Sequence, residues 1–162
     1  MTEQAAANEG GFISPEAIRK HWQGHRGLTR RMIEAYPEDQ LFSFSIGGMR
    51  SFGELVLELQ AMATPMVHGV LTDDWGKYEE RKNAISKEEL LRLWDESTLE
   101  IDRLWPTIPQ AKFYEHMTAF GQWPGIVSDL LLYVIDNEIH HRGQGYVYCR
   151  ALGVEPPPFF DR

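Results

Sequence analysis

The sequence has one cysteine, Cys149, among 162 residues. No disulfide can close within the chain, and a lone thiol is the usage expected of a reducing compartment. It lacks any uninterrupted apolar run approaching the roughly 20 residues that cross a bilayer. Its first residues, MTEQAAANEGG, carry neither a basic stretch nor an apolar one. These absences argue against a membrane partner and against a secretion signal, so a cytoplasmic protein is expected. Basic residues are also in deficit: 16 Lys and Arg against 24 Asp and Glu give a net charge of −8. No dense Lys/Arg block offsets that charge, so a broad phosphate-binding footprint, and with it a nucleic-acid partner, is excluded. There is no internal repeat and no low-complexity tract.

Apolar residues make up 43% of the chain and charged ones 25%, which separates it from disordered sequences. The length suits one domain with a sizeable core. Residues 1–13 read as a flexible polar arm and 14–162 as a single domain. Ser14-Pro15-Glu16 offers an N-cap, a first-turn proline and a first-turn acid, and opens a helix to about Tyr36. Arg30 and Arg31 near its end suit the helix dipole. Leu41-Phe42-Ser43-Phe44-Ser45-Ile46 alternates like a strand but has no comparable run to pair with. It reads as an extended loop that tucks aromatics onto the body. Ser51-Phe52-Gly53-Glu54 and Ser86-Lys87-Glu88-Glu89 are both capping-box patterns. They open helices to about Leu71 and Trp105. Residues 72–85 form a charged connection, and 106–124 a Pro-, Gly- and aromatic-rich one with a helical turn around Phe113–Met117. The last helix starts near Pro124-Gly125 and stops at Leu152, with Gly153 as the C′ residue and Pro156-Pro157-Pro158 behind it. Four long helices in one small domain predict an all-α four-helix bundle.

Chemistry should show as polar residues on apolar faces. At about 100° per residue, Leu55, Leu59, Met62 and Met66 share one face of the second helix, and Glu58 falls within it. A buried carboxylate needs compensation. On the last helix, Ile126, Leu130, Val134 and Tyr148 make the apolar face, and Asn137, His141 and Gln144 fall on the same stripe. Asn137 and His141 are one turn apart, a spacing at which two side chains can grip one metal ion. The same spacing serves a satisfied polar network without an ion, and both readings stand. His140 lies off the stripe, as a surface residue or as a supporting base. His68 points away from Glu58, and His21, His25 and His116 read as surface or packing residues. Cys149 has no histidine at helical spacing to activate it and reads as a structural thiol. Trp75 and Trp123 sit in connections, where they pack or rim a pocket.

The run Asn137-Glu138-Ile139-His140-His141-Arg142-Gly143-Gln144, followed by Tyr146-Val147-Tyr148, Leu152-Gly153 and Pro156-Pro157, resembles the DinB family, the DinB/YfiT-like metalloenzymes. Ser51-Phe52-Gly53-Glu54-Leu55-Val56-Leu57 resembles the opening of that family's second helix. The resemblance implies a four-helix bundle connected up-down-down-up, commonly a homodimer. It implies a divalent metal held by three histidines, one from the second helix and two, four apart, from the last. Some relatives are transferases or isomerases that use a low-molecular-weight thiol. The family name refers to damage-inducible expression, hence a stress response.

Carried over by position, the metal ligands are Glu58, Asn137 and His141, and only His141 keeps the family's residue. Oxygen donors at the other two places make a harder set, which moves preference from zinc towards manganese, iron, nickel or magnesium. Nickel, zinc, manganese and iron are the expected ions, a small molecule or thiol the expected substrate, and thiol transfer or hydrolysis the expected reaction. Gln144 would orient a bound ligand and His140 act as a supporting base, the two catalytic candidates. The alternative is a metal-free bundle that binds a ligand without catalysis, with Glu58 and His141 simply paired.

Overall fold

The computed structural model describes residues 12–162 except 77 and 80. Eleven of the thirteen residues assigned to an N-terminal arm, 1–11, lie outside the described residues; Phe12 and Ile13 are exposed. Four long helices carry the chain. Helix α1 spans Pro15–Ala35, α2 Phe52–Thr72, α3 Lys87–Leu104 and α4 Val127–Ala151.

Three of the four begin where a serine answers free N–H groups. The Ser14 hydroxyl accepts from the Ala17 N–H at 3.1 Å. Ser51 and Glu54 cap each other reciprocally, as their spacing predicts. At α3 only half of the expected box forms. The Ser86 hydroxyl accepts from the Glu89 N–H at 3.1 Å, but the Glu89 carboxylate turns outward to the Arg92 guanidinium at 2.9 Å. At the far end of α4, Gly153 takes φ 75° and the Val154 N–H reaches back to the Cys149 carbonyl at 3.0 Å, the C-terminal turn that the glycine predicts. Arg30 and Arg31 do not serve the α1 dipole. Arg30 pairs with Asp95 and Glu34, and Arg31 with Asp161.

The connections differ from their sequence reading. Residues 41–46 turn rather than extend, yet Phe42 and Phe44 do pack onto the body and Leu41 is buried. The helical turn expected at Phe113–Met117 lies earlier, at Gln110–Tyr114, and a β-hairpin follows it. Strand β1 (His116–Ala119) pairs antiparallel with β2 (Trp123–Ile126), with Ala119 opposite Trp123 and His116 opposite Ile126. Phe120 (φ 54°) and Gly121 (φ 66°) both take the left-handed conformation that a tight reversal needs. The strands are too short to show an alternation, and Pro124 disguises the second as a loop. The hairpin also holds Pro124–Ile126 extended, which delays α4 to Val127.

Helix α1 packs on α3 and α4, and α2 packs on the same two. Buried apolar residues form two clusters. Trp22, Met66, Ile101 and Val134 belong to one; Met32, Leu55, Trp94 and Tyr148 belong to the other. Between the clusters every helix carries polar residues: His25, Arg26 and Thr29 on α1, Glu58 on α2, Ser97 and Thr98 on α3, and Asn137, Glu138, His141 and Arg142 on α4. A polar belt thus crosses the bundle at mid-height. Helix α2 has 21 residues and holds an 18-residue stretch with a mean hydropathy of 1.2, long and apolar enough by length and composition alone to cross a membrane. Leu55, Leu59, Met62 and Met66 are buried among the other helices, as for the core helix of a bundle.

Candidate functional site

The belt brings Glu58, Asn137 and His141 together. The Asn137 amide nitrogen donates to Glu58 Oε1 at 3.0 Å, and His141 Nε2 lies 3.1 Å from the same oxygen. Glu58 Oε2 is paired with Arg50, the residue just before the α2 cap. Sequence reasoning did not identify Arg50, which stands one residue before the Ser51 cap and outside the helical period. Three donors therefore converge on one carboxylate whose side chain is 14% exposed. The His141 bond above all, then Asn137 and Arg50, hold the Glu58 pKa down at about 2 against the opposing effect of burial. Glu58 is a fixed anion at neutral pH.

Gln144 does join the cluster, but as a support. Its side-chain oxygen lies 2.7 Å from His141 Nδ1, and its nitrogen contacts the Met49 sulfur at 3.3 Å. Both His141 nitrogens thus face side-chain oxygens, those of Gln144 and Glu58. His140 is exposed, its ring centroid 5.1 Å from that of His141, and makes no hydrogen bond to Glu58, Asn137 or Gln144. His68 is exposed and bonded to the Asp74 carbonyl at 3.2 Å, away from the cluster. Cys149 is fully buried, and burial pushes its thiol pKa up, as befits a structural residue.

A second polar group lies deeper in the belt. Glu138, 1% exposed, accepts from the Trp22 indole N–H at 3.0 Å and from the Thr29 hydroxyl at 2.6 Å. Arg142 donates to Thr29 Oγ1 at 3.0 Å and to His25 Nδ1 at 2.8 Å. Burial, then Arg142, His21 and Arg162, push the His25 pKa down to about 3, so its ring is neutral. Arg26 is stacked on Trp94 with its guanidinium carbon 4.0 Å from the ring centroid and faces Glu138 at 4.0 Å. The signal for this group was present in the sequence. Trp22, Arg26, Thr29 and Ile33 recur at steps of four, three and four, which places Arg26 on the buried face of α1.

A cavity of about 470 Å³ opens where α2, the start of α4 and the hairpin meet. Glu58 forms part of its wall, with Met62 and Met66. Phe120, Trp123 and Tyr78 close it from the hairpin side, and Trp123 rims it as its place in a connection allows. Trp75 instead packs on Phe120 at 5.6 Å and over Gly69. Among the described residues no group of three or more His, Cys, Asp and Glu side chains could hold a metal ion.

The DinB family model matches residues 7–161. A DinB-like protein from Bacillus subtilis superposes with a TM-score of 0.72 at 19% identity, covering 90% of this chain and 98% of its own. Another from Bacillus cereus gives 0.74 at 17% identity, covering 90% and 97%. At such identities the likeness speaks for the fold. No curated protein matches the sequence. With the family model spanning nearly the whole described chain and two solved relatives sharing its architecture, the protein belongs to the DinB family.

Proposed function

We propose that this protein binds a small molecule in the cavity between α2, α4 and the hairpin, and that it does so without a metal ion. One observation carries the reading: an apolar cavity of ligand size has a single ionised carboxylate, Glu58, in its inner wall, already saturated by protein donors.

The donor chemistry tells against the divalent ion that the family resemblance implies. The spacing alone would allow one: donors bound to one ion at right angles sit about 3.0 Å apart, and His141 Nε2 is 3.1 Å from Glu58 Oε1. The charges do not suit it. An ion would have to replace the proton between His141 and Glu58, turn the Asn137 amide to present its oxygen, and share the carboxylate with the Arg50 cation. Two of the three imidazoles of the family pattern are absent. Glu58, Asn137 and His141 therefore act as an ion-pair and hydrogen-bond network, which makes the ligand-binding alternative the better supported one. Among the described residues the cavity lining holds no Ser, Cys, Lys or His, and binding rather than thiol transfer or hydrolysis is the activity proposed.

Metal analysis of protein purified without an affinity tag tests the first half. Well under one nickel, zinc, manganese or iron ion per chain is expected, even after incubation with each. A stoichiometric ion lost on replacing His141 would restore the metalloenzyme reading. Fragment titrations followed by the Trp123 indole N–H resonance test the second half, with saturable shifts expected. We further propose that the helices run up-down-down-up, supported by α1 and α2 sharing both neighbours, and that the chain assembles as a homodimer.

A further inference from the structure

The cavity wall is uneven in charge and rich in rings. Among the described residues, Glu58 in the inner wall and Asp129 at the rim are its charged side chains, and no Lys, Arg or His is part of the lining. Arg50 and His141, which bond Glu58, lie outside that lining. Asp129, in the first turn of α4, is exposed and has no hydrogen bond or ion pair with any described residue.

The rings are arranged as a corner. Tyr78, Phe120 and Trp123 lie pairwise 5.6, 5.7 and 5.9 Å apart between centroids, with interplanar angles of 72°, 83° and 81°. Three mutually near-perpendicular rings leave π faces directed along different axes. Tyr133, 60% exposed, adds a fourth ring on α4. Phe120 holds this corner at the cost of a positive φ, rare for an aromatic residue. Ring faces carry negative potential, and thioethers such as Met62 and Met66 are polarizable. An anion entering here meets the unpaired Asp129 carboxylate and ring faces, with no cation among the described lining residues to pair. A neutral apolar molecule leaves Asp129 unused.

We infer that the cavity selects a small organic cation, an amine or quaternary ammonium compound, seated against the Tyr78–Phe120–Trp123 corner and charge-paired with Asp129. The inference rests on the small-molecule reading above and adds the charge of the ligand to it.

Three probes of one shape and different charge decide between the two levels: choline, its neutral isostere 3,3-dimethylbutan-1-ol, and the anion 3,3-dimethylbutanoate. Each is titrated at low salt into the full chain, with the Trp123 indole N–H resonance assigned from Trp123→Phe. Choline is expected to bind at least about fivefold more tightly than the alcohol, the factor equivalent to ~1 kcal/mol of cation–π and charge pairing, and the anion not at all. Asp129→Asn, an exposed change that leaves the core intact, should remove most of choline's advantage while leaving the alcohol unchanged. If the alcohol or the anion binds as well as choline, the cation inference is overturned and the small-molecule reading stands. If none of the three moves the Trp123 signal, both fall.

Discussion

Glu58 illustrates how one residue can be legible in place while its partners are not. Its position on the Leu55–Leu59–Met62–Met66 face shows in spacing alone, and so does the one-turn offset between Asn137 and His141. What spacing could not show is Arg50, whose approach to Glu58 depends on the loop before α2. The pairing has a pH signature. The Glu58 pKa falls from 4.5 to about 2 on folding, so its contribution is complete above the unfolded value and disappears as pH drops through the folded one. Wild-type protein should lose about 1 kcal/mol between pH 4.5 and 2 that Glu58→Gln does not, a figure held low by screening at a partly open pair. Urea midpoints across that range measure it. His25 acts in a different window. Its neutral buried ring, at about 3, must be charged in the unfolded chain below 6.5, so folding stability falls as pH drops from 6.5. The loss should approach about 1 kcal/mol per pH unit, and His25→Asn should flatten it. Readings between pH 7 and 4.5 isolate this effect from that of Glu58.

Among the helices, starts and stops were legible wherever one residue does the capping, as at Ser14, Ser51, Ser86 and Gly153. They were not legible where a tertiary partner decides. Glu89 prefers Arg92 to its own N-cap, and α4 begins late because β1 holds its lead-in residues extended. Close packing of α2 on α4 is equally invisible in a pattern of apolar residues. A Cβ added to Gly145 would come within 2.4 Å of the Phe52 ring, whereas one added to Gly27 of α1 meets nothing within 4 Å. Both glycines are helical, and Ala is favoured by about 1 kcal/mol at such a position when space allows. Gly27→Ala should therefore raise the melting temperature. Gly145→Ala should lower it, since Phe52 is itself fully buried and overpacking a core costs about 1–3 kcal/mol. Paired thermal melts check the sign of each; a stabilising Gly145→Ala would show that α2 and α4 pack less tightly than their geometry states.

For the whole molecule, the bundle and its helix count follow from periodicity, while the ring-lined cavity does not, because its corner of Tyr78, Phe120 and Trp123 comes from connections with no period. The same distinction applies to assembly. Leu132, Ile139 and Val147 are 40%, 36% and 60% exposed and recur about two turns apart along one outer face of α4. A net charge of −8 makes two copies repel. A homodimer on this face must therefore be held by apolar burial against electrostatic repulsion, and added salt should tighten it by screening that repulsion. Light scattering at increasing sodium chloride should give a mass approaching two chains. Val147→Glu places a carboxylate at the most exposed of the three positions, once from each copy, and should leave a helical monomer by circular dichroism at every salt concentration. An assembly that loosens with salt would mean that polar pairs hold it, and a face other than this one would have to be sought.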